Sequence, residues 1–183
     1  MHSSSLGERR RVRRTLGGVY PPPRDPVGPG QESVWSYPRP PSAEVTGRRL
    51  ELTLGGRVIA RTDRAVRVCE TSHPPVFYVP RDDVAAGVLE RGAGSSWCEF
   101  KGMATYWDAV VDGVRHDSIA WSYEQPTAGY EQLRGALAFY PSRLDAATVD
   151  GEPVRAQAGD FYGGWITDEV VGPFKGEPGT RGW

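Results

Sequence analysis

The sequence predicts a mainly β protein, a compact antiparallel β domain of two small packed sheets with one or two short helices. Three observations carry that prediction. Apolar residues recur with period two from Arg49 onward, Gly-Gly and Asp-Gly pairs fall between such runs at hairpin spacing, and prolines clip short β-branched runs. Strands do not alternate with long helical patterns, which excludes a doubly wound parallel sheet.

Taken in order, Leu50, Leu52 and Leu54 alternate with Arg49, Glu51 and Thr53. Gly55-Gly56 then supplies a turn, and Val58 and Ala60 alternate with Arg57, Ile59 and Arg61, which completes a hairpin. Residues 65–70 read as a third strand and 75–80 as a fourth. Residues 82–89 read as a helix, with Asp82 as N-cap and Val84, Val88 and Leu89 on one face, although Gly87 interrupts it. Residues 103–111 and 114–123 flank Asp112-Gly113 as a second hairpin. Residues 129–139 fit helix spacing (Tyr130, Leu133, Leu137) and strand spacing (Leu133, Gly135, Leu137, Phe139), and are read as a helix or a short mixed segment. Asp150-Gly151 marks a third hairpin within 147–154.

The chain divides into three parts. Residues 1–30 are a basic, Pro/Gly-rich stretch with too few apolar residues to offset the ordering entropy, expected to be a mobile tail. Residues 31–157 form a single β-rich domain that opens on an aromatic and proline arm, ESVWSYPRPP. Residues 158–183 are an aromatic, Gly/Pro-rich extension expected to pack on the domain. The net charge of −1 is an average over unlike parts. Residues 1–48 hold eight Arg against four acidic side chains, about +4, which leaves about −5 for the rest.

An acidic body argues against nucleic acid as a partner. No apolar run approaches the ~18 residues of a membrane-spanning helix, and none follows the arginine cluster at 9–14 as an export signal requires. The expected setting is therefore cytoplasmic. Two cysteines, Cys69 and Cys98, make no disulfide framework, and His2, His73 and His116 offer no close pair for a metal. No G-x-S-x-G, G-x-x-x-x-G-K-[ST] or G-x-G-x-x-G occurs, so no cofactor is expected.

Candidate chemistry lies in two segments. In ETSHPPVFYVP (70–80), Glu70 stands three residues before His73, a base-and-orienter pattern ahead of a rigid Pro-Pro. In CEFKGMATYW (98–107), Cys98 is a potential nucleophile. Lys101 is one of two lysines among twenty arginines, which points to a role that Arg cannot fill. Trp35, Tyr37, Tyr78, Tyr106, Trp121 and Tyr123 are the candidate walls of an aromatic-lined small-molecule pocket; a dense aromatic core is the other reading. Two strings echo each other. W-S-Y recurs at 35–37 and 121–123, either by chance or as two arms meeting across one cavity, and F-K-G recurs at 100–102 and 174–176.

The strings ESVWSYPRPP, ETSHPPVFYVPRDDV, CEFKGMATYW, AWSYEQP, GALAFYPSRLD and VDGEPV, in that order, resemble the bacterial and fungal family catalogued as domain of unknown function 427. The resemblance runs from residue 32 to about 155. It implies a small, tent-like β fold with a ligand-sized cavity and one or two copies per chain. The matching positions are Glu70, His73, Tyr78, Cys98, Lys101, Tyr106, Trp121, Tyr123 and Tyr140. The family also carries a nucleotidyltransferase-like heading, but this sequence lacks the G-S followed by paired aspartates that metal-dependent nucleotidyl transfer needs. A single copy implies that a homodimer replaces the second domain where a site needs two.

The expected function is an uncharacterised small-molecule-binding domain with an aromatic-lined pocket. One alternative is an enzyme using His73 as general acid or base with Cys98 or Lys101. Another is an interaction scaffold recruited through the Arg/Pro-rich tail.

Overall fold

The structure, a computed structural model, describes residues 14–15, 18–19, 21–159 and 161–183. Most of residues 1–20, and with them the greater part of the expected mobile tail, lie outside the described residues. In chain order the strands are β1 (Arg14–Thr15), β2 (Gly18–Val19), β3 (Glu32–Ser33), β4 (Ser42–Val45), β5 (Leu50–Leu54) and β6 (Arg57–Thr62). There follow β7 (Val66–Cys69), β8 (Val76–Val79), β9 (Leu89–Cys98), β10 (Gly102–Val111), β11 (Val114–Ser122) and β12 (Leu137–Phe139). The last five are β13 (Ala146–Val149), β14 (Glu152–Pro153), β15 (Arg155–Ala156), β16 (Trp165–Ile166) and β17 (Val170–Val171).

Period-two alternation builds two sheets and one core between them. Seven strands pair in the order β4-β7-β8-β12-β11-β10-β9, and four in the order β14-β13-β5-β6, with every ladder in both sheets antiparallel. Leu50, Leu52, Leu54 and Ile59 of the smaller sheet pack against Phe77, Val79, Ile119, Leu137 and Phe139 of the larger. The residues between those, Tyr78 and Ala138, point to the opposite face, because successive side chains on a strand alternate. The mainly β expectation therefore holds, and all three glycine-marked hairpins form.

Two local expectations are corrected. Residues 82–89 are not a helix: a single 3-10 turn spans Arg81–Asp83, and Gly87 at φ +75 turns the chain. Ala85 donates its backbone N–H to the Ile59 carbonyl instead, so Val84 and Val88 reach the core from an extended chain. In β6 a register slip opposite Leu52 and Thr53 turns Ile59 inward, while Val58 is 38% exposed. Residues 129–139 resolve into a 3-10 turn, Glu131–Leu133, followed by β12, the mixed reading. Strand β9 carried no expectation, since it lies at the sheet edge with mostly exposed residues and two glycines and so has no apolar period.

Trp165 ties the C-terminal segment into this core. Only 1% exposed, its ring lies 5.3 Å from that of Phe77. The indole N–H donates to the Phe139 carbonyl at 3.2 Å, and the backbone N–H to that of Pro75 at 2.8 Å. Among the described residues, no helix is long and apolar enough to cross a membrane.

Removing the Trp165 side chain opens a cavity between the sheets that rigid strands cannot collapse into. Trp165→Ala is expected to lose about 3–5 kcal/mol of unfolding free energy, read from urea denaturation monitored by circular dichroism. A loss below about 1 kcal/mol would show that residues 158–183 are not part of the cooperative core.

Candidate functional site

On the face of the seven-stranded sheet turned away from the smaller sheet lies a cavity of about 220 Å³. Its floor is a set of mutually packed rings that alternation places there. Tyr78 lies 6.2 Å from both Trp121 and Tyr123 between ring centroids, and Trp121 lies 4.6 Å from Tyr140. The Trp121 indole donates to the Tyr78 hydroxyl at 3.3 Å, and the Tyr106 hydroxyl donates to Ser96 Oγ at 2.8 Å. Burial pushes the Tyr78 and Tyr123 phenols well above their ordinary range, and that of Tyr140 to about 12. All three are neutral hydroxyls at physiological pH. Cys98 lines the same wall, hydrogen-bonded with the Tyr123 phenol.

Charge gathers around the remaining wall. Lys101, Lys175 and Arg39 line the cavity with Glu70 and Glu99. Lys101 is 8% exposed, and the carboxylate facing it, Glu70, is 4.0 Å away. Glu70 also stands 3.8 Å from Arg39. Both separations exceed hydrogen-bond length. Arg39 hydrogen-bonds Glu99 at the rim, at 3.2 Å. Lys175 donates from Nζ to the Trp183 carbonyl at 2.6 Å. Its pKa is lowered by burial and then by Arg39, with Glu70 opposing.

His73 is held from three sides. Ser72, before it, sits at φ +70, a left-handed conformation that costs a non-glycine residue about 1–3 kcal/mol. Two backbone bonds keep it there, Ser72 N–H to Val34 O at 3.1 Å and Lys175 N–H to Ser72 O at 2.8 Å. The His73 ring packs edge-on against Tyr162 at 4.7 Å. Gln157 fixes the tautomer. Its Oε1 accepts from Gly164 N–H at 3.1 Å and its Nε2 donates to Lys175 O at 2.6 Å, so the amide orientation is set. Nε2 is then the donor in the 3.2 Å contact with His73 Nδ1, which leaves the imidazole proton on His73 Nε2. Burial, then Lys175, Lys101 and Arg39, lower the His73 pKa to about 3. The ring is a neutral hydrogen-bond donor.

The C-terminal segment borders the cavity. Strands β15 and β16 pair, and the Gln157 backbone N–H donates to Gly164 O at 3.1 Å, which closes the neck of the 157–164 loop. Phe161, Tyr162 and Gly163 at its tip line the cavity. Gly163 is required by contact: a Cβ there would overlap the Trp121 ring.

Eight sequence-derived candidates therefore share one cavity: Glu70, His73, Tyr78, Cys98, Lys101, Tyr106, Trp121 and Tyr123. Trp35 and Tyr37 do not line it, and the two W-S-Y strings do not meet across it. Trp35 sits in a 3-10 turn (Val34–Ser36), stacks on Trp183 at 5.4 Å and donates to the Pro173 carbonyl at 2.8 Å. The Tyr37 hydroxyl donates to Glu32 at 2.7 Å beside Arg67. Arg67 alternates with Val66 and Val68, which pack in the cluster of the ring floor, so Tyr37 lies behind the sheet. Sequence reasoning missed Arg39, Gln157, Tyr162 and Lys175 as site residues. For Lys175 a signal existed in the F-K-G echo, both lysines of which reach the cavity.

A His whose folded pKa lies near 3 against an ordinary 6.5 is protonated first in the unfolded chain, so its burial costs stability as pH falls from about 6.5 toward 3. The stability difference between wild type and His73→Gln is expected to shift against wild type, at up to about 1.4 kcal/mol per pH unit over that window. Urea denaturation at pH 7, 6, 5 and 4.5 checks it. A difference independent of pH would mean that the ring titrates normally.

A search of curated proteins finds no match to the chain. A family model, described as Domain of unknown function (DUF427), matches residues 42–150. That span holds the ring floor together with Glu70, His73, Cys98 and Lys101, whereas Arg39, Gln157, Tyr162 and Lys175 come from outside it. The match covers more than half of the sequence, and the chain belongs to the DUF427 family.

Proposed function

We propose that the protein is a small-molecule-binding domain whose ligand lies with a flat apolar face on Tyr78, Tyr106, Trp121, Tyr123 and Tyr140. The observation that carries this reading is the cavity itself: a ring-walled space bordered by Phe161, Tyr162 and Gly163, with charged groups on one wall. A floor of neutral aromatic rings with a few convergent polar groups is the usual composition of a ligand pocket. The acid–base alternative draws less support. The Nδ1 lone pair of His73 is engaged by Gln157, and its low pKa makes the neutral ring a weak base and leaves no imidazolium to act as an acid near neutrality.

A thermal-shift screen of flat aromatic fragments at millimolar concentration is expected to give saturable binders. Tyr106, half-buried and bonded through its hydroxyl to Ser96 and Tyr140, can be truncated without touching the core between the sheets. Tyr106→Ala is expected to weaken those binders by about 1 kcal/mol, roughly fivefold. A screen without binders, or binders indifferent to Tyr106→Ala and to Trp121→Leu, would overturn the reading.

A further inference from the structure

We propose that the ligand is a monoanion, a single flat ring carrying a carboxylate or another oxyanion, with the anionic end between Lys101, Lys175 and the His73 Nε2 proton. This rests on the binding reading above and adds the charge and size of what is bound.

Charge counting comes first. Arg39, Lys101 and Lys175 face the cavity against Glu70 and Glu99, while His73 is neutral. Glu99, whose side chain is 66% exposed, is engaged at the rim by Arg39. Glu70 is left as the one enclosed carboxylate among the cations, so the side chains of the wall carry an excess positive charge. A neutral ligand would leave that excess unanswered, and a cationic one would add to it.

Donor counting agrees. The Lys101 ammonium has three N–H donors and is 8% exposed, yet among the described residues it makes no hydrogen bond; its ion-pair partner is 4.0 Å away. A buried ammonium without an acceptor is costly unless a ligand or water supplies one. His73 Nε2 carries a further proton, and Lys175 Nζ has spent one donor on Trp183 O. Donors around Glu70 thus exceed acceptors, the complement of an oxyanion.

Residue type and size narrow the class. The chain holds twenty arginines and only two lysines, and both lysines stand here. A compact ammonium fits beside a small anion where a planar guanidinium needs more width. A cavity of about 150 Å³ takes benzene, so 220 Å³ takes a benzene-sized ring with one short substituent and is too small to enclose a dinucleotide.

The test is isothermal calorimetry on the full chain with two matched pairs, 4-hydroxyphenylacetate with 4-hydroxyphenylacetamide and benzenesulfonate with benzenesulfonamide. At least one acid is expected to bind tenfold or more tightly than its neutral counterpart. Lys175→Met and Lys101→Met are each expected to cut that preference severalfold; Lys101→Gln serves if the methionine variant does not fold. Salt at 0.5 M is expected to weaken the acid and spare the neutral partner. If the neutral members bind as well as the acids, or if neutral fragments from the broader screen bind while both acids do not, the anion assignment falls and the pocket reading stands. If neither these probes nor the screen gives binding, both fall.

Discussion

The indole of Trp165 is the contact on which the site depends. It belongs to a segment with little regular structure, rich in glycine and proline, that could not hold a position by its own hydrogen bonds. Packed on Phe77 and bonded to Phe139 O, it is fixed between strands β8 and β12. Those two strands also send Tyr78 and Ala138 to the opposite face. One residue therefore registers the C-terminal segment against the strands that carry the ring floor. Gln157, Tyr162, Gly163 and Lys175 reach the cavity because the β15–β16 ladder begins at that anchor.

The electrostatics of the cavity follow from this assembly. Desolvation is the largest influence on both His73 and Lys175, and each disfavours the charged form. For His73 the neighbouring cations act in the same sense, and the ring is neutral. For Lys175, burial is only partial, Glu70 acts in the opposite sense, and the ammonium also finds the Trp183 carbonyl. The same surroundings thus separate two basic groups into a neutral donor and a cation. Glu70 keeps Arg39 and Lys101 within reach of one another at separations too long to satisfy either through hydrogen bonds. Such a carboxylate lowers mutual repulsion without consuming the donors.

Legibility in the sequence tracked burial. Leu50, Leu52 and Leu54 alternate because one side of β5 is buried, and their strand was read correctly. Strand β9 is as regular in the structure but exposed along most of its length, so no apolar period marked it. Val84, Val88 and Leu89 have helical spacing by coincidence: Pro80 and a left-handed Gly87 confine the turn to Arg81–Asp83, and pairing of Ala85 with Ile59 wins over helix propensity. Among site residues, those on strands or beside them, such as Tyr78 and Trp121, were legible as aromatics in excess of a core's need. Trp35 looked the same in sequence. Only the fold separates it, because it packs on Trp183 and Val170, far along the chain. Gln157 carried no signal, since a lone glutamine acquires its role from the Gly164 and Lys175 backbone groups it meets.

The division of the cavity between the family span and its flanks has a physical meaning. Residues 42–150 supply the shape: a rigid sheet whose alternation fixes the ring floor, with Glu70, His73 and Lys101 at its margin. The flanks supply the state of those groups. Val34 and Lys175 clamp Ser72 in a left-handed turn that sets where His73 points. Gln157 sets which nitrogen bears the proton, and Arg39 and Lys175 help set the charge around it. A domain stripped of its flanks would keep the hydrophobic floor, yet Lys101 and Glu70 would face open water, where a loose pair at 4.0 Å is worth little. The protonation and pairing of the groups on this wall therefore depend on the segments that flank the family span.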